Sequence, residues 1–194
     1  MQLRRFAFCL VTTFFGPVVL AYAQDQDPPL FAAFKTYCLK AGADADQVKL
    51  GVELLGGKTH NPPGGTTDTP WPMTLASWDI TVKDHRMTLS IGTAHPPHGS
   101  RMVSNSTSCV INSFSDESVS MDSLRKWVAV PRDPDMSFPE FYTFRQDGIA
   151  HKPIENDDSR RTAEENGNLW QLVLIGKNSV QFVHTLPPTP KAPN

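Results

Sequence analysis

The chain has 194 residues, with 18 Lys plus Arg against 20 Asp plus Glu, 39% hydrophobic and 20% charged, the balance of an ordinary globular protein. That length fits one domain with tails. A formal net charge of -2 supplies no field to hold a polyanion, which excludes DNA and RNA as main partners.

Met1 to Ala23 reads as a secretory signal peptide. Arg4 and Arg5 form the positive n-region, Phe6 to Leu20 is mostly apolar, and Ala21-Tyr22-Ala23 matches the small-x-small cleavage rule, so cleavage is expected before Gln24. A membrane anchor is the competing reading. Roughly 15 apolar residues fall short of the ~20 a spanning helix needs, and Gly16-Pro17 interrupts them. Cys9 sits inside the apolar stretch after Phe8, not behind a lipoprotein box. No second long apolar run follows, so no membrane insertion is expected after cleavage. The destination implied is the periplasm or the exterior.

Loss of the leader leaves two cysteines, Cys38 and Cys109, and an exported pair is expected to form a disulfide. A reactive thiol is the alternative; it wants a CxxC or a nearby activating base, which the local sequence lacks.

In chain order, Leu30, Phe31, Phe34 and Cys38 recur at helical spacing and predict a short helix with Cys38 facing the core. Asp44 with Gln47 three residues on resembles a capping box for a second helix, with Val48, Val52 and Leu55 on one face and Gly56-Gly57 at its end. His60 to Pro72 is rich in Asn, Pro, Gly and Thr and reads as a loop. Strands are expected at Ser77–Val82, Arg86–Thr93 and Ser108–Phe114. A helix capped by Ser118 or Ser120 follows, running to Val128 with Met121, Leu124 and Val128 on one face. Phe141–Arg145 and Ile149–Ile154 flank Asp147-Gly148, a strong hairpin signal, and Leu169–Ile175 pairs with Val180–Leu186. Glu155 to Asn168 is almost wholly polar and reads as an exposed excursion. Pro187 to Asn194, with four prolines, reads as a mobile tail. The expectation is an α+β domain over residues 24–186: about seven antiparallel strands, two short N-terminal helices, one inserted helix and one disulfide.

Few motifs carry chemistry. Gly51 to Thr59 reads GVELLGGKT, but a phosphate-binding loop needs Gly where this chain has Val52, and the segment closes a helix instead of opening one. Ser123 and Lys126 match SxxK without its supporting elements, and no GxSxG occurs. His95-Pro96-Pro97-His98 is the most suggestive constellation. Two prolines hold the chain extended at ~3.1 Å per residue, so both imidazoles stand on one side. His95 and His98 are therefore metal candidates, with His85, Met87 or Met102 completing a copper-like set. Exposed loop histidines are the simpler reading. The carboxylate pairs Asp116-Glu117, Asp133 with Asp135, Asp157-Asp158 and Glu164-Glu165 lie in segments read as loops and read as solvated charges. Trp71, Trp78, Trp127 and Trp170 read as core or rim residues that could line a ligand groove.

With Phe34-Lys35-Thr36-Tyr37-Cys38 in an N-terminal helix, Ser108-Cys109-Val110-Ile111 in a central strand and a short helix after it, the chain resembles a group of small exported proteobacterial proteins of unknown function. The similarity covers roughly Leu30 to Val128. It implies export and a disulfide, and carries over no catalytic residue.

The expected function is a non-enzymatic module that binds a small ligand or another envelope protein, with no cofactor. An enzyme of unfamiliar type and a metal carrier using His95 and His98 are the alternatives.

Overall fold

The computed structural model describes residues 27–60, 73–94, 106–134 and 140–187. The leader, Trp71, His95, His98, Met102, Asp135 and residues 188–194 lie outside them. Their elements are α1 (Pro29–Ala33), continued by a π-helical segment (Phe34–Leu39), α2 (Ala45–Leu54), β1 (Lys58–His60), β2 (Met73–Val82), β3 (His85–Ala94), β4 (Ser106–Ser113), α3 (Ser118–Val128), β5 (Glu140–Asp147), β6 (Ala150–Pro153), α4 (Asp157–Glu165), β7 (Leu169–Ile175) and β8 (Ser179–Thr185). The protein is α+β.

The strands form one sheet in the order β1-β2-β3-β4-β8-β7-β5-β6, with every neighbouring pair antiparallel. Side chains alternate between faces along a strand, so register decides what shares a face. Trp78 stands opposite Leu89, Leu89 opposite Ile111, Ile111 opposite Val180, Val180 opposite Leu174. These residues form one buried face with Met87, Ile91, Phe182, Leu172 and Phe144. Leu30, Phe31 and Phe34 from the first helix, Val48 and Val52 from α2, and Met121, Leu124 and Val128 from α3 complete that core. Each such side chain contributes about 1.5–3 kcal/mol on full burial.

Cys38 and Cys109 are bonded, with Cα atoms 5.6 Å apart and a separation of 71 positions in sequence. The bridge pins the first helix to β4. A helix stripe at i, i+3 and i+4 would drift off the sheet, but Lys40 N–H donates to the Lys35 carbonyl, five residues back. That wider turn is the π segment, and it keeps Phe34, Tyr37 and Cys38 buried together.

The structure departs from the sequence reading in five places. There are eight strands among the described residues, because Lys58–His60 pairs with Ser77–Asp79; three residues are too few to show a period. Residues 155–168 contain α4, whose Asn156 and Ser159 form a reciprocal capping box and which buries only Ala163, so no apolar stripe betrays it. Glu117, not Ser118 or Ser120, is the N-cap residue of α3. Leu55 does not join Val48 and Val52: α2 ends at Leu54 and Leu55 is 61% exposed. Pro187, assigned to the tail, lies close against Gly167.

Among the described residues no helix is long and apolar enough to cross a membrane.

Candidate functional site

Beside the end of α2, the sheet's first three strands leave a recess of about 400 Å³, lined by Leu55, Gly56 and Gly57 after the helix, Lys58 of β1, Asp79, Ile80 and Thr81 of β2, Arg86 and Met87 of β3, and Tyr37 and Phe114. Its origin is local. β1 covers β2 only as far as Asp79, because the chain before Lys58 turns away into α2. Gly57 makes that turn close: a Cβ there would stand 2.2 Å from Val52 Cγ1, so the helix end can approach β2 only where a side chain is missing.

The lining is mixed by strand alternation. Lys58 pairs with Asp79, and Arg86 with Thr81, which puts these four side chains on the sheet face opposite the core. Phe114 N–H donates to the Arg86 carbonyl at 3.3 Å, and the Arg86 guanidinium lies over the Phe114 ring, 5.9 Å from its centroid. Phe114 is 70% exposed. Burial pushes the Tyr37 hydroxyl pKa up, which keeps it a donor.

A second node holds this end of the sheet in place from the core side. Glu117 is 3% exposed, yet its carboxylate accepts from the hydroxyls of Ser113, Ser115 and Ser120, from Leu30 N–H and from His85 Nδ1. Burial alone would raise its pKa, but the three serines and the Leu30 amide together hold it below the usual carboxylate value. His85 and Ser113 directly precede Arg86 and Phe114 in the chain. The buried carboxylate thus fixes the backbone that presents the Arg86–Phe114 pair. Reading Asp116-Glu117 as solvated charges holds for Asp116, whose carboxylate caps Ser118 N–H, and fails for Glu117.

Of the other sequence candidates, His85 is committed to Glu117, and Met87 is fully buried in the core, so neither is a free metal ligand. His95, His98 and Met102 lie outside the described residues, among which no three His, Cys, Asp or Glu gather as a metal set. Ser123 Oγ donates to the Val119 carbonyl one turn back, a helix-surface contact. Gly51 lies inside α2 and Lys58 opens β1, so the GVELLGGKT segment runs from helix to strand. Trp78 is core, Trp127 packs edge-on against Phe34, Phe144, Phe182 and His151, and Trp170 stacks between Phe182 and His184. None of these three lines the recess. Missed in the sequence were Arg86, Phe114 and Leu55 as lining and Glu117 as their support; a bulky apolar residue just past each element's end was the available signal for two of them.

Another recess, about 360 Å³, lies at the start of α4. Its Arg132 and Arg160 are matched there by Asp133, Glu155 and Asp157, and the helix N-terminus is already capped by Asn156.

Comparison of the chain with protein-family models, with curated proteins and with solved structures finds no match. The site therefore rests on its own geometry.

Proposed function

We propose that the chain is an exported, non-enzymatic binding module of the cell envelope and that the recess between α2 and β1–β3 is its binding site. One observation carries this reading: a cleft of about 400 Å³, the size of an ordinary small-ligand site, keeps Leu55 and Phe114 largely exposed beside Lys58 and Arg86. Large apolar side chains held in water next to fixed charges mark interaction surfaces. Export is supported by the leader pattern of Met1 to Ala23 and by the disulfide, a bond that persists in oxidising compartments.

The test is native mass spectrometry on protein expressed with its own leader and recovered from the periplasm. The expected mass starts at Gln24, gains about 2 Da on reduction, and carries an adduct that Phe114→Asp abolishes. Unprocessed protein retained in the cytosol sinks export. Turnover of a generic ester, glycoside or phosphate, lost on changing one lining residue, sinks the non-enzymatic reading.

A further inference from the structure

Accepting that the recess is a binding site, we infer its ligand class: a small amphipathic anion, one carboxylate, sulfate or phosphate group carried on an apolar body. Lys58 and Arg86 share the same sheet face by register. Among the described residues neither has a carboxylate partner. Asp79 is the one carboxylate among the described residues of the lining, so two cations stand against one acid and the local balance favours an incoming negative charge.

The Arg86–Phe114 pair sharpens this. The guanidinium carbon lies 5.9 Å from the ring centroid, so an oxyanion paired with the fork would carry its attached body beside an exposed aromatic ring. A preorganised fork loses little freedom on pairing, and charge-assisted bidentate contacts are about twice as strong as neutral ones. The Tyr37 hydroxyl adds a neutral donor to the same lining.

The apolar part follows from what an ion alone would leave undone. A bare inorganic anion could pair with Arg86 but would cover neither Leu55 nor Phe114, 61% and 70% exposed. A cation would meet two like charges. A polyphosphate would outnumber the two basic side chains present. An aliphatic or aromatic body attached to one anionic group satisfies both halves of the lining.

The experiment follows backbone amide signals of the disulfide-bonded mature protein by NMR during titration with octanoate, octyl phosphate, octanol and acetate. Octanoate or octyl phosphate is expected to shift Gly57, Arg86 and Phe114, binding at least about tenfold more tightly than octanol or acetate, and Arg86→Gln to remove that margin. The tighter of the two octyl anions identifies the head group. Octanol matching both anions, or Arg86→Gln binding as the parent does, overturns the anion class while leaving the recess a binding site. Shifts confined to residues elsewhere overturn the class and the site together, and no shift with any probe overturns the class.

Discussion

His85 Nδ1 lies 2.9 Å from Glu117 Oε1, joining the turn between β2 and β3 to the N-cap of α3. A carboxylate only accepts, so with Glu117 ionised the imidazole proton sits on Nδ1. The same carboxylate holds α1 through Leu30 N–H and α3 through Ser120, so one buried charge ties two helices to a strand turn.

Glu117→Gln keeps the shape and removes the charge, leaving hydroxyl donors facing an amide. It is expected to destabilise the protein by about 2–4 kcal/mol, read as a lower urea midpoint at unchanged slope. The pH dependence has a definite sign. The folded pKa of Glu117 is depressed, so its stabilisation is full above the ordinary glutamate value of about 4.3 and is lost as pH falls through the lower folded value. Glu117→Gln is expected to flatten that acid limb; an unchanged limb would assign it to other carboxylates.

His184 titrates with the same sense in a higher window. Its ring is parallel to Trp170, with centroids 3.8 Å apart, and its Nε2 donates to the Gly167 carbonyl at 2.9 Å. Burial lowers its pKa, so the unfolded chain binds the proton more readily. Its contribution is full above about pH 6.5 and declines as pH falls through the folded value. Melting temperature is expected to fall between neutral and mildly acidic pH, and His184→Phe to remove that part of the slope.

The Cys38–Cys109 bridge closes a span of 71 residues, worth about 4 kcal/mol in the chain-entropy model. Cys38→Ala with Cys109→Ala is expected to lose a few kcal/mol in chemical denaturation. A loss under about 1 kcal/mol would show that the unfolded chain already holds the first helix near β4.

Gly57→Ala places a methyl against Val52 and the Val52 carbonyl. The helix end must move away from β2, at about 1–3 kcal/mol, and the recess loses its wall. Gly51→Ala meets nothing within 4 Å and is the matched control, expected to stabilise α2 by about 1 kcal/mol or less. Thermal melts of the pair separate crowding from propensity.

Strand periodicity and the helical stripe of Leu30, Phe34 and Cys38 were legible because burial on one face forces a repeating pattern. The same rule hides α4, which buries Ala163 alone, and β1, which is too short for alternation. The recess was less legible still. Lys58, Arg86 and Phe114 lie far apart in sequence and meet only through the successive pairing of β1, β2, β3 and β4, and no local pattern encodes such a register. Glu117 misled because its sequence neighbour Asp116 is exposed; the serines at 113, 115 and 120 were the visible hint that a buried acceptor stood among them.

β8 follows every other described strand in sequence and yet lies inside the sheet, between β4 and β7. Strands β1 to β4 form a meander to which the disulfide ties the first helix, and β5, with β6 on one side and β7 on the other, forms a separate three-stranded group. Both present a bare edge until Ser179–Thr185 is available to zip them together. Assembly of the sheet therefore waits for β8, and a chain cut before Ser179 would be left as two sticky halves in place of a slightly smaller protein.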